Sequence, residues 1–334
     1  MPVLGGPMPK ITPKDLEVRA ALPEDDPVVI PMLREALKKG DDPHYAAFLD
    51  WKHRQNSFGQ SAAWVALHDG LAVGYRTLMR WRFVNDDGKK VTAVRAVDTA
   101  THPDYQGLGI FRTLTVRGVA ELTMAGDGIV FNTPNDQSRP GYLKMGWSVV
   151  RRLPVGVLPA RPGALPKMAR SKVPASLWSE PTPAGLDARE VFADDAVATA
   201  LLQHAPAKGF RTDRTPAHLR WRTSFEPLRY RVLLAASDPA EGGIVFRLRR
   251  RGDTVEAAMI EQLVPDKVTG ARLVARMLKE TGADYAIGLR TGPSAGLVPL
   301  PVPGAGPILT SRPLAATPPP ASHWRLTLGD VELF

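Results

Sequence analysis

One segment of the sequence has residue types that could bind phosphate groups. Residues 101–114 read THPDYQGLGIFRTL, which places Gly107 and Gly109 in a turn between a predicted strand and a predicted helix. Glycines let the backbone approach a ligand closely, and free amides at a helix N-terminus attract anions. The segment therefore predicts a pyrophosphate-binding turn to which Arg112 adds positive charge, although an ordinary tight turn would use the same two glycines.

Two better-known motifs are excluded by the residues around them. The turn is not a Rossmann fingerprint, because a third glycine would have to stand at Arg112, and no Gly-Lys-Ser/Thr follows it as a P-loop requires. A Gly-x-Ser-x-Gly pattern surrounds Ser294, but the proline-rich residues after it cannot form the helix that a hydrolase nucleophile needs. We therefore expect neither a dinucleotide-binding Rossmann site nor a serine hydrolase.

The elements that must position this turn alternate between strands and helices. Apolar periodicity predicts strands at 16–20, 62–68, 72–83, 91–101, 128–132 and from 147, and helices at 26–39, 110–125 and 135–145. Asp69-Gly70 and the Asn-Asp-Asp-Gly run at 85–88 are typical of hairpin turns. The predicted fold class is α/β, an α+β arrangement around a mixed sheet whose front half is antiparallel.

Two motifs in this half resemble those of the GNAT superfamily of acyl-CoA N-acyltransferases. Gln106 and Gly109 fit the pattern Gln/Arg-x-x-Gly-x-Gly/Ala, with Phe111 in place of the final small residue. Downstream, a pattern similar to Asn-x-x-Ala-x-x-x-Tyr-x-x-x-Gly-Phe is formed by Asn135, Ser138, Tyr142, Gly146 and Trp147. The resemblance covers residues 15–160 and implies a catalytic acyl-CoA-binding domain there. It implies direct transfer of acetyl from acetyl-CoA, as co-substrate, to an acceptor amine, without a metal.

The resemblance also implies binding roles for individual residues. Backbone groups where the strand splays would hold the pantetheine and the thioester carbonyl, namely those of Thr99, Ala100 and Thr101. The turn would hold the pyrophosphate through Gln106, Gly107, Leu108, Gly109, Ile110, Phe111 and Arg112. Asn135 would contact the pantetheine or simply cap its helix.

Three residues are candidates for proton transfer. Tyr142 would protonate the leaving thiolate, because a tyrosine hydroxyl keeps its proton at neutral pH, or else it is an aromatic residue at the edge of the core. Asp98 would accept a proton from the amine through water, or else it is a structural hydrogen-bond acceptor. Tandem GNAT proteins of the enhanced-intracellular-survival type use the chain's terminal carboxylate as base, which makes that of Phe334 a further candidate. We expect Glu121 to be solvated.

The second half repeats part of the first half's order. His218-Leu219-Arg220-Trp221-Arg222 before a predicted strand at 230–235 resembles Phe48-Leu49-Asp50-Trp51-Lys52 before the strand at 62–68. A hairpin at 244–250 and 255–264, a helix at 268–281 and a strand at 285–289 follow. The turn at 265–270 lacks Gly-x-Gly, so we predict two GNAT-like domains in tandem, the one at 187–334 degenerate and noncatalytic; two unrelated α/β domains are the alternative. Trp221, Phe225 and Trp324 would line a cleft or, more simply, pack in a core.

Composition supports this division. Of the net charge of +9, +8 lies in residues 151–334, and prolines are concentrated between Pro154 and Pro183 and between Pro299 and Pro320. We interpret 161–186 as an extended, basic, proline-rich linker, 299–320 as an irregular loop and 1–14 as a disordered or extended N-terminus. With no cysteine and no long apolar run, we expect a cytoplasmic protein without disulfides or a membrane span.

Two other functions remain as alternatives to catalysis. One is a noncatalytic acyl-CoA-binding sensor with the same fold. The other, less favoured, is nucleic-acid binding, which the arginines at 247 and 249–251 suggest; a solvated hairpin face or a protected sheet edge explains them more simply. The seven histidines show no metal-ligand spacing.

Overall fold

A computed structural model of the chain describes residues 12–332 with the exception of Lys172, Pro301 and Pro303. Most of the segment predicted to be disordered or extended, 1–14, lies outside the described residues. So does Phe334, the candidate whose terminal carboxylate would act as base. A short 3-10 turn, Pro13–Asp15, precedes the first strand.

Sixteen strands are present in these described residues. They are β1 (Glu17–Ala20), β2 (Ala62–His68), β3 (Leu71–Val84), β4 (Lys90–Thr101), β5 (Ile129–Asn132), β6 (Ser148–Arg152), β7 (Val155–Pro159), β8 (Leu186–Asp187), β9 (Phe210–Thr212), β10 (Arg231–Leu234), β11 (Gly243–Arg251), β12 (Thr254–Leu263), β13 (Tyr285–Leu289), β14 (Val298–Pro299), β15 (Ile308–Pro313) and β16 (Trp324–Arg325).

Ten α-helices accompany them over the same part of the chain. They are α1 (Asp26–Ala36), α2 (Tyr45–His53), α3 (Ile110–Met124), α4 (Arg139–Lys144), α5 (Ala164–Arg170), α6 (Ala188–Val191), α7 (Asp195–Leu202), α8 (Pro216–Thr223), α9 (Lys267–Thr281) and α10 (Leu328–Val331). None of these helices has the length and apolarity needed to cross a membrane.

The strands form two mixed sheets with matching order. The first runs β1-β2-β3-β4-β5-β15-β6, and the second runs β8-β10-β11-β12-β13-β7-β14. In each sheet one neighbouring pair along this path is parallel, β4 with β5 and β12 with β13. The strand that follows that pair is antiparallel in both sheets. The structure therefore confirms the mixed α/β fold class and the tandem arrangement of two similar units.

Each half of the chain contributes strands to the other half's sheet, and β9 and β16 of the second half join the first sheet beside β3. β7 follows the first sheet in sequence but pairs with β13 of the second, whereas β15 comes from the second half and lies between β5 and β6 of the first. The predicted domains, 15–160 and 187–334, therefore do not correspond to the two sheets, because each sheet contains a strand from the other predicted domain. The proline-rich stretch 299–320, expected to be an irregular loop, contains the strand β15. Residues 308–312 of β15 are not prolines, so their backbone amides can donate hydrogen bonds to the neighbouring strands.

The two halves also meet through equivalent tryptophans. The Trp51 indole nitrogen donates to the Trp221 carbonyl at 2.8 Å, and the Trp221 indole nitrogen donates to the Trp51 carbonyl at 3.0 Å. Their rings stack at 5.4 Å. Reciprocal contacts of this kind are typical of two-fold related surfaces, so this pair marks a pseudo-two-fold axis between α2 and α8.

One hydrophobic core is shared between the sheets, and α3 and α9 pack on their outer faces over separate clusters. Trp221 and Trp324 are buried in the shared core, and the partly buried Phe225 packs against it. Of the two expectations for these aromatic residues, core packing and lining of a cleft, the structure shows core packing.

Two expectations for the basic segments were wrong. The segment 161–186 is not simply extended, because α5 forms within it and Ser176 and Glu180 pair with the backbone of β11. Arg247 and Arg249 do not form a solvated face or a sheet edge, whereas Arg250 is exposed and pairs with Glu180. β11 is an inner strand, and Arg247 and Arg249 are buried in ion pairs with Glu332 (2.7 Å and 3.0 Å).

Candidate active site

A gap between two neighbouring strands of the first sheet creates the main cavity. β4 and β5 are paired only from Ala93–Arg95 opposite Ile129–Phe131, and β4 continues to Thr101 beyond the end of β5. The cavity that opens there has a volume of about 870 Å³. Its walls are the end of β4, the turn before α3, the first residues of α3, and the segment from β5 to α4.

A β-bulge shapes the β4 wall of this cavity. Thr77 pairs with Val97 and Tyr75 pairs with Ala100, so Asp98 and Thr99 together oppose the single residue Arg76. Asp98 has a φ of 43°, in the left-handed region. A bulge bends its strand and redirects side chains, which explains why β4 turns away from β5 at this point.

The turn after β4 leaves the N-terminus of α3 open. Gly107 and Gly109 have φ values of 82° and 75°, conformations that glycine adopts without strain. Gly109 is the N-cap of α3 and offers no side chain, so the first amides of α3 have no side-chain cap. An open helix N-terminus with a glycine approach is suited to a phosphate group.

The equivalent helix of the second half is closed by its own sequence. The carboxylate of Asp266, the N-cap of α9, accepts hydrogen bonds from the amides of Val268 and Thr269, each at 2.8 Å. An internal carboxylate therefore occupies the position that a phosphate oxygen would need. This agrees with the expectation that the second unit lacks the cradle.

Tyr142 is buried in the cavity wall beside a residue that the sequence did not point to. Its hydroxyl accepts a hydrogen bond from Arg76 Nη1 at 2.6 Å, and its ring packs edge-on against Phe111 at 5.3 Å. Phe111, the departure from the family pattern, thus fills space against Tyr142 and under the Arg76 guanidinium, whose carbon lies 5.7 Å from the Phe111 ring centre. A single arginine inside a strand has no sequence signal of its own.

Asp98 belongs to a buried cluster with two residues of α2. Its carboxylate lies 2.6 Å from Lys52 Nζ and 2.8 Å from His53 Nε2. Burial alone would raise the pKa of Asp98, but the charge of Lys52 and the hydrogen bond from His53 outweigh it and hold that pKa well below its ordinary value. Burial lowers the pKa of Lys52 and of His53. Asp98 is therefore strongly held as a carboxylate and binds a proton weakly.

The structure brings most of the predicted residues to one cavity. Its lining includes Asp98, Thr99, Ala100, Thr101, Gln106, Gly107, Gly109, Ile110, Phe111, Arg112, Asn135 and Tyr142. Leu108 is not among the lining residues, because it packs against the hydrophobic cluster under α3. The Asn135 side chain accepts from the Ser138 amide at 2.8 Å, so it closes the turn before α4 while lining the cavity, and the N-cap of α4 itself is Ser138. Glu121 is half-exposed and binds Arg117.

The same residues carry a recognisable sequence pattern. Residues 17–150 match the family model of the acetyltransferase (GNAT) domain. These residues form a GNAT domain. The match includes the bulge, the glycine turn and Tyr142, so the first half of the chain has both the fold and the pattern of an acyltransferase.

Solved structures resemble the chain beyond the GNAT domain. A conserved protein of Enterococcus faecalis V583 has a TM-score of 0.62 at 13% identity, covering 90% of this chain and 73% of that chain. A GCN5-related N-acetyltransferase of Anabaena variabilis has a TM-score of 0.60 at 12% identity, with 89% and 72% covered. Eis1 of Mycobacterium abscessus has a TM-score of 0.54 at 13% identity, with 90% and 73% covered. At these identities the shared feature is the fold. No curated protein matches the chain.

Proposed function

We propose that the chain is an N-acetyltransferase that transfers acetyl from acetyl-CoA directly to an acceptor amine, and that it acts in the cytoplasm. The observation that carries the proposal is the presence, in one cavity, of an uncapped helix N-terminus and of Tyr142, a largely buried residue that lines the cavity wall. A pyrophosphate on the α3 amides would direct the rest of the CoA along the gap beside β4.

Within this proposal each wall of the cavity has a separate task. The amides from Gly107 to Arg112 would hold the pyrophosphate, and backbone groups of Thr99 to Thr101 would hold the pantetheine and the thioester. Tyr142 would protonate the thiolate as it leaves. Asp98 is better suited to anchoring the bulge than to accepting a proton, because Lys52 and His53 already bind its carboxylate.

The charges that line the cavity bear on the acceptor. Among the described residues that line the cavity, the positively charged side chains are those of Lys39, Lys52 and Arg112. The acidic one is Asp98, whose carboxylate forms an ion pair with Lys52. No carboxylate in this described lining is left to hold a second positive charge of an acceptor. We therefore propose an acceptor whose amine is accompanied by a neutral or anionic group.

The binding step is tested by calorimetry with acetyl-CoA on wild type and on Gly109→Glu. A carboxylate at the start of α3 would repel the pyrophosphate, and we expect at least a tenfold loss of affinity, about 1.4 kcal/mol. Gly126→Glu is the matched control, because Gly126 follows α3, has a φ of 84° and, like Gly109, has open space where a side chain would stand. Equal binding by wild type and Gly109→Glu would contradict the assignment of the turn.

Turnover is tested by release of free thiol with a panel of amines. We expect an amino acid and its amide, whose second groups are anionic and neutral, each to be acetylated with about a tenfold higher kcat/KM than a polyamine. A polyamine that outperforms both would contradict the proposed acceptor class. Binding of acetyl-CoA without turnover of any amine would favour the acyl-CoA sensor instead.

A further inference from the structure

Arg76 is a buried cation without a counter-charge. It lies in the middle of β3, its side chain is 0% exposed, and no described carboxylate forms an ion pair with it. Its Nε and Nη2 atoms have no hydrogen-bond partner among the described residues. Burying an unpaired charge costs several kcal/mol, so a fold that keeps one at this position needs a reason for it.

The partners that Arg76 does have both belong to the candidate site. One nitrogen, Nη1, donates to the Tyr142 hydroxyl at 2.6 Å and to Thr99 Oγ1 at 2.5 Å. The guanidinium carbon also lies 5.2 Å from the centre of the Tyr142 ring. Because Arg76 has only donors, the Tyr142 oxygen must accept, which leaves the tyrosine's own proton for a different partner.

Burial increases the effect of this charge on Tyr142. Opposite charges interact several times more strongly in a protein interior than in water, and no ion pair with a described carboxylate offsets the charge of Arg76. A negative charge that forms on the Tyr142 oxygen would therefore meet a preorganised cation at hydrogen-bond distance.

We propose that Arg76 is a positioning residue for Tyr142: it fixes the hydroxyl so that its proton is available to the leaving group and stabilises the phenolate that remains. This inference rests on the proposed function. In the step concerned, the carbon–sulfur bond of the thioester breaks with its electron pair on sulfur. The Tyr142 O–H bond breaks, an S–H bond forms, and solvent returns a proton to the phenolate. The acceptor nitrogen, now bonded to the acyl carbon, loses its proton to solvent, so that acyl-CoA and amine give amide and CoA.

A purely structural role for Arg76 is the competing explanation. Its bond to Thr99 crosses the bulge, so Arg76 could simply hold β3 and β4 in register. The two explanations differ in what happens when Tyr142 is already lost. A role through Tyr142 disappears with the hydroxyl, whereas a structural role does not.

The test is a double-mutant cycle on the full chain with Arg76→Met, Tyr142→Phe and the combination of both. Activity is measured as release of free thiol with an amine that the wild-type chain acetylates. We expect each single change to lower kcat at least tenfold with less than a threefold change in the Kd of CoA. The combination should be no slower than Tyr142→Phe alone, within about twofold. Arg76→Lys, which keeps the charge, should recover part of the kcat lost in Arg76→Met.

Three results would overturn the inference. They are multiplication of the two single effects in the combined variant, a loss of CoA affinity as large as the loss of kcat, and an Arg76→Met variant as active as wild type. If Arg76→Met does not fold, the comparison is made with Arg76→Lys alone and in the Tyr142→Phe background, where the same cycle applies. A wild-type chain that turns over no amine would instead remove the proposed function, which separates the two failures.

Discussion

Asp98 combines a left-handed backbone conformation with a buried ion pair. The backbone forms the bulge, and the carboxylate ties that bulge to Lys52 and His53 of α2. One residue therefore fixes both the course of β4 and its attachment to a helix. Because the pKa of Asp98 lies below its ordinary 3.8 in the folded state, the pair stabilises the fold above that pH, and this contribution is lost as the pH falls further.

Replacing Asp98 separates anchoring from proton transfer. Asn also tolerates a left-handed conformation, so Asp98→Asn removes the charge while leaving the backbone unstrained. Lys52 would lose its buried counter-charge, and we expect the free energy of unfolding to fall by about 3 kcal/mol in urea denaturation. Adding Lys52→Met should recover part of that loss. A collapse of kcat with unchanged stability would instead identify Asp98 as the base.

The helix N-termini α3 and α9 occupy equivalent places in the two units but differ in what binds their amides. The Asp266 carboxylate accepts hydrogen bonds from the first amides of α9. Gly109, at the same place before α3, has no side chain that could bind the first amides of α3. We therefore expect calorimetry to give one acetyl-CoA per chain. A stoichiometry of two would show that the second unit binds CoA despite Asp266.

Local pattern predicts elements well and distant contacts poorly. The β2–β3 turn illustrates the first: Asp69 and Gly70 both have positive φ, 49° and 78°, as their residue types predict for a hairpin turn. β15 illustrates the second, because six residues among prolines become a strand only when β5 and β6 lie on either side of them. The α4 helix, predicted over 135–145, begins later because the Asn135 side chain organises the preceding turn.

The same division explains which site residues could be predicted. The glycine turn and Tyr142 belong to patterns that are local in sequence. Arg76 and Lys52 act on residues 66 and 46 positions away, and neither has a residue type that is unusual in its own segment. Their roles follow only from the contact across the bulge and from the packing of α2 on β4.

The exchange of β7 and β15 makes the two units dependent on each other. Without β15, one edge of β5 is unpaired, and β6 loses the strand that joins it to the first sheet. We expect the fragment 1–160 to aggregate or to lack a cooperative unfolding transition, because an exposed edge strand next to an open core is unstable. Fragments 1–160 and 161–334 expressed together should copurify and recover acetyl-CoA binding. A monomeric 1–160 fragment that unfolds cooperatively would contradict this dependence.

The position of β15 also sets an order of events during protein synthesis. The Thr310 hydroxyl of β15 donates to the Asn132 side chain at 2.6 Å, and Asn132 lines the main cavity, yet the two residues are 178 positions apart. A ribosome will have made both GNAT motifs long before it makes the strand that supports the cavity's β5 wall. The nascent chain must therefore carry an unfinished sheet through most of its elongation, which makes the interval before β15 emerges the period when a chaperone would be most useful.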